Sequence, residues 1–312
     1  MERKGIKGYL PSELEELVKS LGFEKYRAAQ LWREIYVHRR RHFDDMITLP
    51  SELRNKLKEG NRVLTMDVER IKKSIDGSIK FLFGLMDGRK VESVYMPYYD
   101  EAGEETERTT LCISTMAGCP VGCAFCATGA LGFQRNLNPA EIVDQILKVE
   151  MNLNVKVSNV VLMGMGEPLL NYENVLKALK IMTHPDAKLI SRKRITLSTS
   201  GIAPRIKQLA GESIAVKLAL SLHATTDELR KKMMPIANAY PLKKLLESID
   251  YYYQKTKMPI TYEYIVFEGL NDTVEDVKRL ARIARRVPSK INLIPYNDIS
   301  FALPQGFSQA LK

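Results

Sequence analysis

Gly118-Cys119-Pro120-Val121-Gly122-Cys123-Ala124-Phe125-Cys126 follows closely on a strand-like run, Thr109–Ser114. The chain has four cysteines, Cys112, Cys119, Cys123 and Cys126, all within fifteen residues, and none in the 186 residues that follow. Three of them form C-x3-C-x2-C on a short glycine-containing loop. Thiolates so spaced can face a common centre, and thiolate ligation is what iron–sulfur clusters and zinc demand. In a chain without a secretory signal such a group reads as metal binding or catalysis rather than as disulfides. Three ligands leave one iron of a four-iron cluster open, as catalytic metal sites keep a position free. The competing reading is zinc with Cys112 as fourth ligand. Zinc sites pair two short cysteine hairpins, whereas Cys112 stands seven residues upstream inside a strand, so zinc is disfavoured.

Outward from this loop, apolar strand-like runs alternate with helical ones. Strands are expected at 109–114, 159–163, 194–198, 216–222, 261–267 and 291–295. Helices are expected at 139–152, 173–183, 202–210, 225–233, 241–255 and 273–286. Six strands apolar on both sides and joined by crossovers indicate an α/β fold with a parallel sheet. Periodicity does not separate an open sheet from a partial barrel. In either, chemistry belongs at the C-terminal ends of the strands.

Upstream, residues 79–84 and 91–96 alternate about Asp87-Gly88, which predicts a β-hairpin with Glu92 on the face opposite Val91 and Tyr95. Before it, Ser12 with Glu15 three residues on fits a capping box, and Gly22 closes that helix. A second helix spans Tyr26 to Tyr36, and a third starts at Leu49-Pro50-Ser51-Glu52 and closes near Gly60. The expected division is a helical accessory domain over 1–60, a hairpin extension over 61–107 and the main α/β domain over 108–312.

The 312 residues are 45% hydrophobic and 27% charged, with a formal charge of +10. That composition excludes a disordered, collagen-like or disulfide-scaffold protein. The N-terminus lacks a signal-peptide core, and no apolar run approaches the ~20 residues of a spanning helix. A cytoplasmic monomer without a membrane partner is expected. The basic balance permits a nucleic-acid partner. Candidate contacts are Arg39-Arg40-Arg41, Arg192-Lys193-Arg194, Lys231-Lys232 and Arg285-Arg286.

C-x3-C-x2-C with an aromatic residue before the last cysteine resembles the radical S-adenosylmethionine (SAM) superfamily. Val91-Glu92-Ser93-Val94-Tyr95-Met96-Pro97, Cys112-Ile113-Ser114, Gly132-Phe133-Gln134-Arg135-Asn136-Leu137 and Met163-Gly164-Met165-Gly166-Glu167-Pro168 extend the likeness. So do Thr196-Leu197-Ser198-Thr199-Ser200-Gly201, Ser221-Leu222-His223-Ala224 and Ile291-Asn292-Leu293-Ile294-Pro295-Tyr296-Asn297. Over residues 10 to 297 the set resembles the RlmN/Cfr family of radical-SAM RNA methyltransferases, closer to its RlmN branch.

The resemblance implies a radical-SAM partial (βα)6 barrel. It implies that Cys119, Cys123 and Cys126 hold a [4Fe–4S] cluster whose open iron is chelated by SAM. Gly166, Glu167, Ser198, Ser221, Leu222, His223 and Asn297 match SAM contacts. Glu92 matches the proton acceptor, and Cys112 the thiol that resolves a covalent protein–RNA intermediate as a disulfide. The implied substrate is C2 of an adenine in 23S rRNA, with tRNA second. That atom sits on the base edge, so the base must be extruded. A flavodoxin or ferredoxin is the implied electron donor.

The family's other catalytic cysteine, which carries the methyl group, lies in an ACGQL-like segment near the C-terminus. These 312 residues contain no fifth cysteine, and Phe307-Ser308-Gln309-Ala310-Leu311-Lys312 looks like the start of the last helix. As written, the chain is expected to bind the cluster and cleave SAM without completing methyl transfer. The alternative to an active methyltransferase is thus a catalytically incomplete SAM- and RNA-binding paralogue, or a truncated chain, that lacks the methyl-carrying cysteine.

Overall fold

The computed structural model describes residues 3–299, so the last-helix reading at Phe307–Lys312 lies outside the described residues. The chain forms two compact units. One comprises residues 1–115, 136–160 and 173–194, the other residues 116–135, 161–172 and 195–312.

The first unit opens with helices α1 (Pro11–Ser20), α2 (Tyr26–Tyr36) and α3 (Ser51–Gly60). The second and third lie where the sequence pattern puts them. The first starts at Pro11, one residue ahead of the expected Ser12 cap. Glu13, not Glu15, closes the first turn by accepting from the Leu10 N–H at 2.6 Å. Proline suits the first helical position because its missing N–H would have no partner there. Leu14, Val18, Leu31, Ile35, Leu53 and Leu57 are fully buried between these helices.

The same unit carries strands β1 (Met66–Lys73), β2 (Ile79–Leu85), β3 (Lys90–Tyr99), β4 (Glu105–Cys112) and the start of β5 (Asn159–Leu162). Their order is β5-β4-β3-β2-β1, and the last three pairings are antiparallel. The hairpin is therefore present. The run expected at 109–114 starts at Glu105 and ends at Cys112; it neighbours β5 on one side and pairs antiparallel with β3 on the other. Strand β1 is absent from the sequence reading because it lies at the sheet edge. Its side chains from Glu69 onward are exposed, so no apolar alternation marks it.

One face of this sheet buries Phe81, Phe83, Val91, Ser93, Tyr95 and Leu111. It packs on α4 (Pro139–Leu153), where Gln145 Oε1 accepts from Ser93 Oγ at 2.7 Å and from Ser114 N–H at 2.8 Å. At the other side of α4, buried Asp144 takes Lys7 Nζ at 2.5 Å and Thr65 Oγ1 at 2.7 Å.

The second unit holds the end of β5 with β6 (Ile195–Thr199), β7 (Lys217–Ser221), β8 (Ile260–Val266) and β9 (Ser289–Pro295), in that order. The β6–β7, β7–β8 and β8–β9 pairings are parallel and unbroken in register. Parallel neighbours require crossovers, and α5 (Asp227–Met233), α6 (Leu242–Thr256) and α7 (Val274–Ala284) lie in them. The α/β fold expected from the sequence is present. Leu197, Leu218, Leu220, Ile249, Ile260 and Tyr262 fill its core. No helix of the described residues is long and apolar enough to cross a membrane.

Candidate functional site

All ten residues expected at the cluster and SAM belong to the second unit, where they follow or end its strands. The cysteine loop is held by backbone bonds. Cys119 N–H donates to Gly132 O at 3.1 Å, Ala124 N–H to Met233 O at 2.9 Å, and Cys126 N–H to Cys123 O at 3.1 Å. Gly118 is required where it stands: its φ is +73°, and a Cβ there would lie 1.8 Å from the Gly132 carbonyl oxygen.

Cys119, Cys123 and Cys126 are all half-buried. Burial pushes the Cys119 thiol up to about 11, and the neighbouring Cys126 and Glu167 charges add to the rise. Burial raises Cys123 further, followed by repulsion from Cys126 and Cys119. The Cys119 and Cys123 thiols resist ionising, so they need an electropositive partner to become thiolates. As they stand, no three His, Cys, Asp or Glu side chains of the described residues converge as ligands of a single metal ion. A zinc site would need ligands about 2.3 Å from one centre. The donor set, three thiols on one half-buried loop, fits an iron–sulfur cluster.

Phe125, between the second and third cysteines, packs its ring edge-on against His223 at 4.8 Å. His223 adopts φ +52° directly after β7. Its N–H and that of Leu222 donate to Glu263 O, and its carbonyl accepts from Asn271 Nδ2 at 2.9 Å. The ring's Nδ1 accepts from Ile265 N–H at 3.1 Å, so that nitrogen carries no proton. Burial and then the Arg230 charge lower its pKa to about 3. His223 is a neutral imidazole wedged between the cysteine loop and β8. Phe267 continues the contact from Phe125 to Tyr296, whose ring lies 4.6 Å away, and the exposed Asn297 follows.

Gly166-Glu167 follows β5. Gly166 has φ +106°, and a Cβ there would meet Met116 at 2.6 Å. Glu167 is buried and accepts from Leu169 N–H, Ser200 N–H and Ser200 Oγ. It thereby joins the loop after β5 to the loop after β6. Ser198, on β6, is half-buried and pairs in register with Ala219. Ser221 ends β7 half-buried, and Leu222 is fully buried.

The sequence reading passed over Arg230, although it named the adjacent Lys231-Lys232. Arg230 is fully buried, with Nη2 bonded to Ser200 O at 2.5 Å and Ser221 O at 3.4 Å. Its Nε and Nη1 are buried without a hydrogen-bond partner among the described residues. Burial lowers its pKa to about 10, so it stays a cation. A buried guanidinium with two unmet donors has the chemistry to take an anionic group. Its signal was its spacing: it stands one turn before the buried Met233, on the inward side of α5.

Glu92 and Cys112 belong to the first unit. Cys112 pairs in register with Val94, two residues from Glu92. Both therefore lie on one sheet face, opposite the buried one, as alternation expected of Glu92. The Glu92 carboxylate is 3.3 Å from Lys80 Nζ and 43% exposed. The basic runs fare differently. Arg39 is tied to Glu150 at 2.5 Å and Arg40 to Glu34 at 3.3 Å, both within the first unit. Lys232 reaches Glu228 at 3.2 Å, and Arg286 reaches Asp250 at 2.5 Å.

Residues 113–283 match the radical SAM superfamily, and residues 6–63 match the ribosomal RNA large subunit methyltransferase N-terminal domain. The chain is 46% identical over 300 residues to a probable dual-specificity RNA methyltransferase RlmN of Thermus thermophilus, covering 95% of this chain and 82% of that protein. It is 44% identical over 298 residues to the dual-specificity RNA methyltransferase RlmN of Geotalea uraniireducens, covering 96% and 84%. The crystal structure of a radical SAM methyltransferase from Sphaerobacter thermophilus is similar, with a TM-score of 0.87 and 34% identity over 99% of this chain and 92% of that one.

Proposed function

Because this chain belongs to the radical SAM superfamily, and within it to the RlmN family of dual-specificity RNA methyltransferases, we propose that it methylates C2 of an adenine in 23S rRNA, with tRNA as a second substrate. It is an RNA methyltransferase, and its cofactors are a [4Fe–4S] cluster and SAM. The packing of the cysteine loop, through Phe125, on His223 after β7 supports a radical-SAM site, and the choice of C2 and of 23S rRNA rests on the likeness to the RlmN branch.

Cys119, Cys123 and Cys126 would hold the cluster. Bound there, it supplies the electron that splits SAM into methionine and a 5′-deoxyadenosyl radical. Ser200 bonds both a buried acid, Glu167, and a buried cation, Arg230. These opposite charges complement the ammonium and carboxylate of an amino acid such as the methionine end of SAM. Ser198, Ser221, Leu222, His223 and Asn297 complete the pocket for the rest of that molecule. Methylation of a C–H carbon displaces its hydrogen as a proton, and Glu92 is the carboxylate assigned to accept it. Cys112, on the same sheet face, is assigned as the thiol that releases the product.

Residues 1–60 serve as the RNA-gripping accessory module, 61–107 as the hairpin extension and 108–312 as the catalytic barrel. A flavodoxin or ferredoxin supplies electrons, and the protein works as a cytoplasmic monomer. Anaerobic turnover of the reconstituted protein with reductant, SAM and a 23S rRNA fragment tests the reading. Nucleoside mass spectrometry should find 2-methyladenosine, and 8-methyladenosine would overturn the assignment. SAM cleavage without a methylated base would favour the alternative raised by the four-cysteine inventory, an incomplete enzyme.

A further inference from the structure

The register of the first unit's sheet places a row of cations beside Glu92 and Cys112. Lys72 pairs with Lys80, Lys80 with Val94, and Val94 with Cys112. Cross-strand partners share a face, so these residues form one row across four strands. Arg70, Leu82 and Glu92 form the next row. At about 4.8 Å per strand, the Lys80 backbone stands about 10 Å from that of Cys112, and Lys72 about 14 Å.

Arg70, Lys72, Ser74, Lys80, Leu82 and Glu92 line a single recess on this face. Glu69, also on it, is neutralised by Lys90 at 2.6 Å. Lys80 is shared with Glu92. The Arg70 and Lys72 side chains form no ion pair or hydrogen bond among the described residues, their backbones alone being paired in the sheet. Arg39, Arg40, Lys232 and Arg286, by contrast, are held by carboxylates of their own chain. The surplus positive charge on this face is thus available to an outside anion. The half-exposed Leu82 and Val94 beside it offer apolar surface to a base.

We propose that Arg70, Lys72 and Lys80 are the docking surface for RNA phosphates flanking the target nucleotide, holding the strand so that the extruded base comes to Glu92 and Cys112. This rests on the RNA-substrate reading above and adds the surface that orients the RNA. Phosphate contacts fix register without reading sequence, so one such surface serves two different RNAs.

The test is RNA binding by the cluster-reconstituted protein, followed by fluorescence anisotropy against salt with a labelled 23S rRNA fragment. The Arg70→Ala/Lys72→Ala/Lys80→Ala variant should bind about tenfold more weakly or worse near 0.1 M salt. The slope of log affinity on log salt should fall by about two, since each phosphate contact contributes about 0.7–0.9. The charge-preserving Arg70→Lys/Lys72→Arg/Lys80→Arg variant should retain most of the affinity. SAM affinity should be unchanged in both, which shows that they fold. Wild-type binding with unaltered affinity and slope in the alanine variant overturns the inference alone. A wild-type protein that binds no RNA overturns both the inference and the substrate reading beneath it.

Discussion

Ser200 donates its backbone N–H at 2.6 Å and its hydroxyl at 2.7 Å to one carboxylate oxygen of the buried Glu167. Its carbonyl accepts from Arg230 at 2.5 Å. One residue in the loop after β6 therefore positions a buried acid and a buried cation. Burial raises the Glu167 pKa, and the bonds from Ser200 and Leu169 oppose that rise.

Ser200→Ala removes the hydroxyl while keeping the backbone donor. The variant should lose about 1–3 kcal/mol of stability, the cost of leaving a buried acceptor short of a partner. Urea unfolding would measure it. A change below about 0.5 kcal/mol would mean that the two remaining donors suffice.

Replacing Cys119, Cys123 or Cys126 singly by Ser should abolish the brown chromophore near 400 nm after anaerobic reconstitution, because each is a thiolate ligand in the proposed set. Cys112→Ser should keep the chromophore while blocking product release. Loss of colour in Cys112→Ser would move that residue into the ligand set.

Arg230→Met removes a buried positive charge near Cys123 without opening a large cavity. Less positive surroundings disfavour the reduced, more negative cluster, so its reduction potential should move to more negative values. The affinity for SAM should fall with it. Redox titration followed by EPR reads the first effect, and equilibrium binding the second. An unmoved potential with intact SAM binding would leave Arg230 a purely structural bridge between Ser200 and Ser221.

Much of this was legible in the sequence because it rests on short-range chemistry. The cysteine loop is contiguous, and strands β6 to β9 are apolar runs whose limits fall within two residues of expectation at either end. Glu92 alternates cleanly with Val91. What escaped depends on long-range pairing. The β4 strand reads as a buried strand, yet nothing local says that its partner β3 runs antiparallel. Edge strand β1 shows charge where a buried strand shows Val or Ile. Arg230 sits in an ordinary charged helix, Asp227-Glu228-Leu229-Arg230-Lys231-Lys232, and its one-turn spacing to Met233 is the single local sign that it turns inward. Conversely, Arg39 and Arg40 look like a solvent-facing knot, but the fold brings Glu150 and Glu34 to them.

His223 makes stability depend on pH in a defined window. Its folded pKa is lowered to about 3, burial being the main cause, against about 6.5 in an unfolded chain. The unfolded state therefore binds more protons between these values, and stability falls as pH drops below about 6.5. Above that it is flat for this group. Each pH unit is worth up to about 1.4 kcal/mol, so about 2 kcal/mol should be lost by pH 5. The urea midpoint of the wild type, minus that of His223→Gln, should track this slope. A pH-independent difference would show that the imidazole is hydrated.

Lys7 and Asp144 form a buried pair at 2.5 Å, with side chains 6% and 0% exposed. Asp144 also accepts from Thr65 N–H and Oγ1, and the Lys7 carbonyl accepts from Tyr36 Oη at 2.6 Å. The pair thus ties the N-terminal segment, α2 and the stretch before β1 to α4. Asp144→Ala should cost about 3–5 kcal/mol because it strands the Lys7 ammonium in a dry site. Lys7→Met/Asp144→Leu removes both charges and should recover most of that loss, since well-packed apolar pairs often match buried ion pairs in stability. Thermal and urea unfolding of the two variants decide it. If the double variant is as unstable as Asp144→Ala, the bonds from Thr65, rather than the stranded charge, account for the loss.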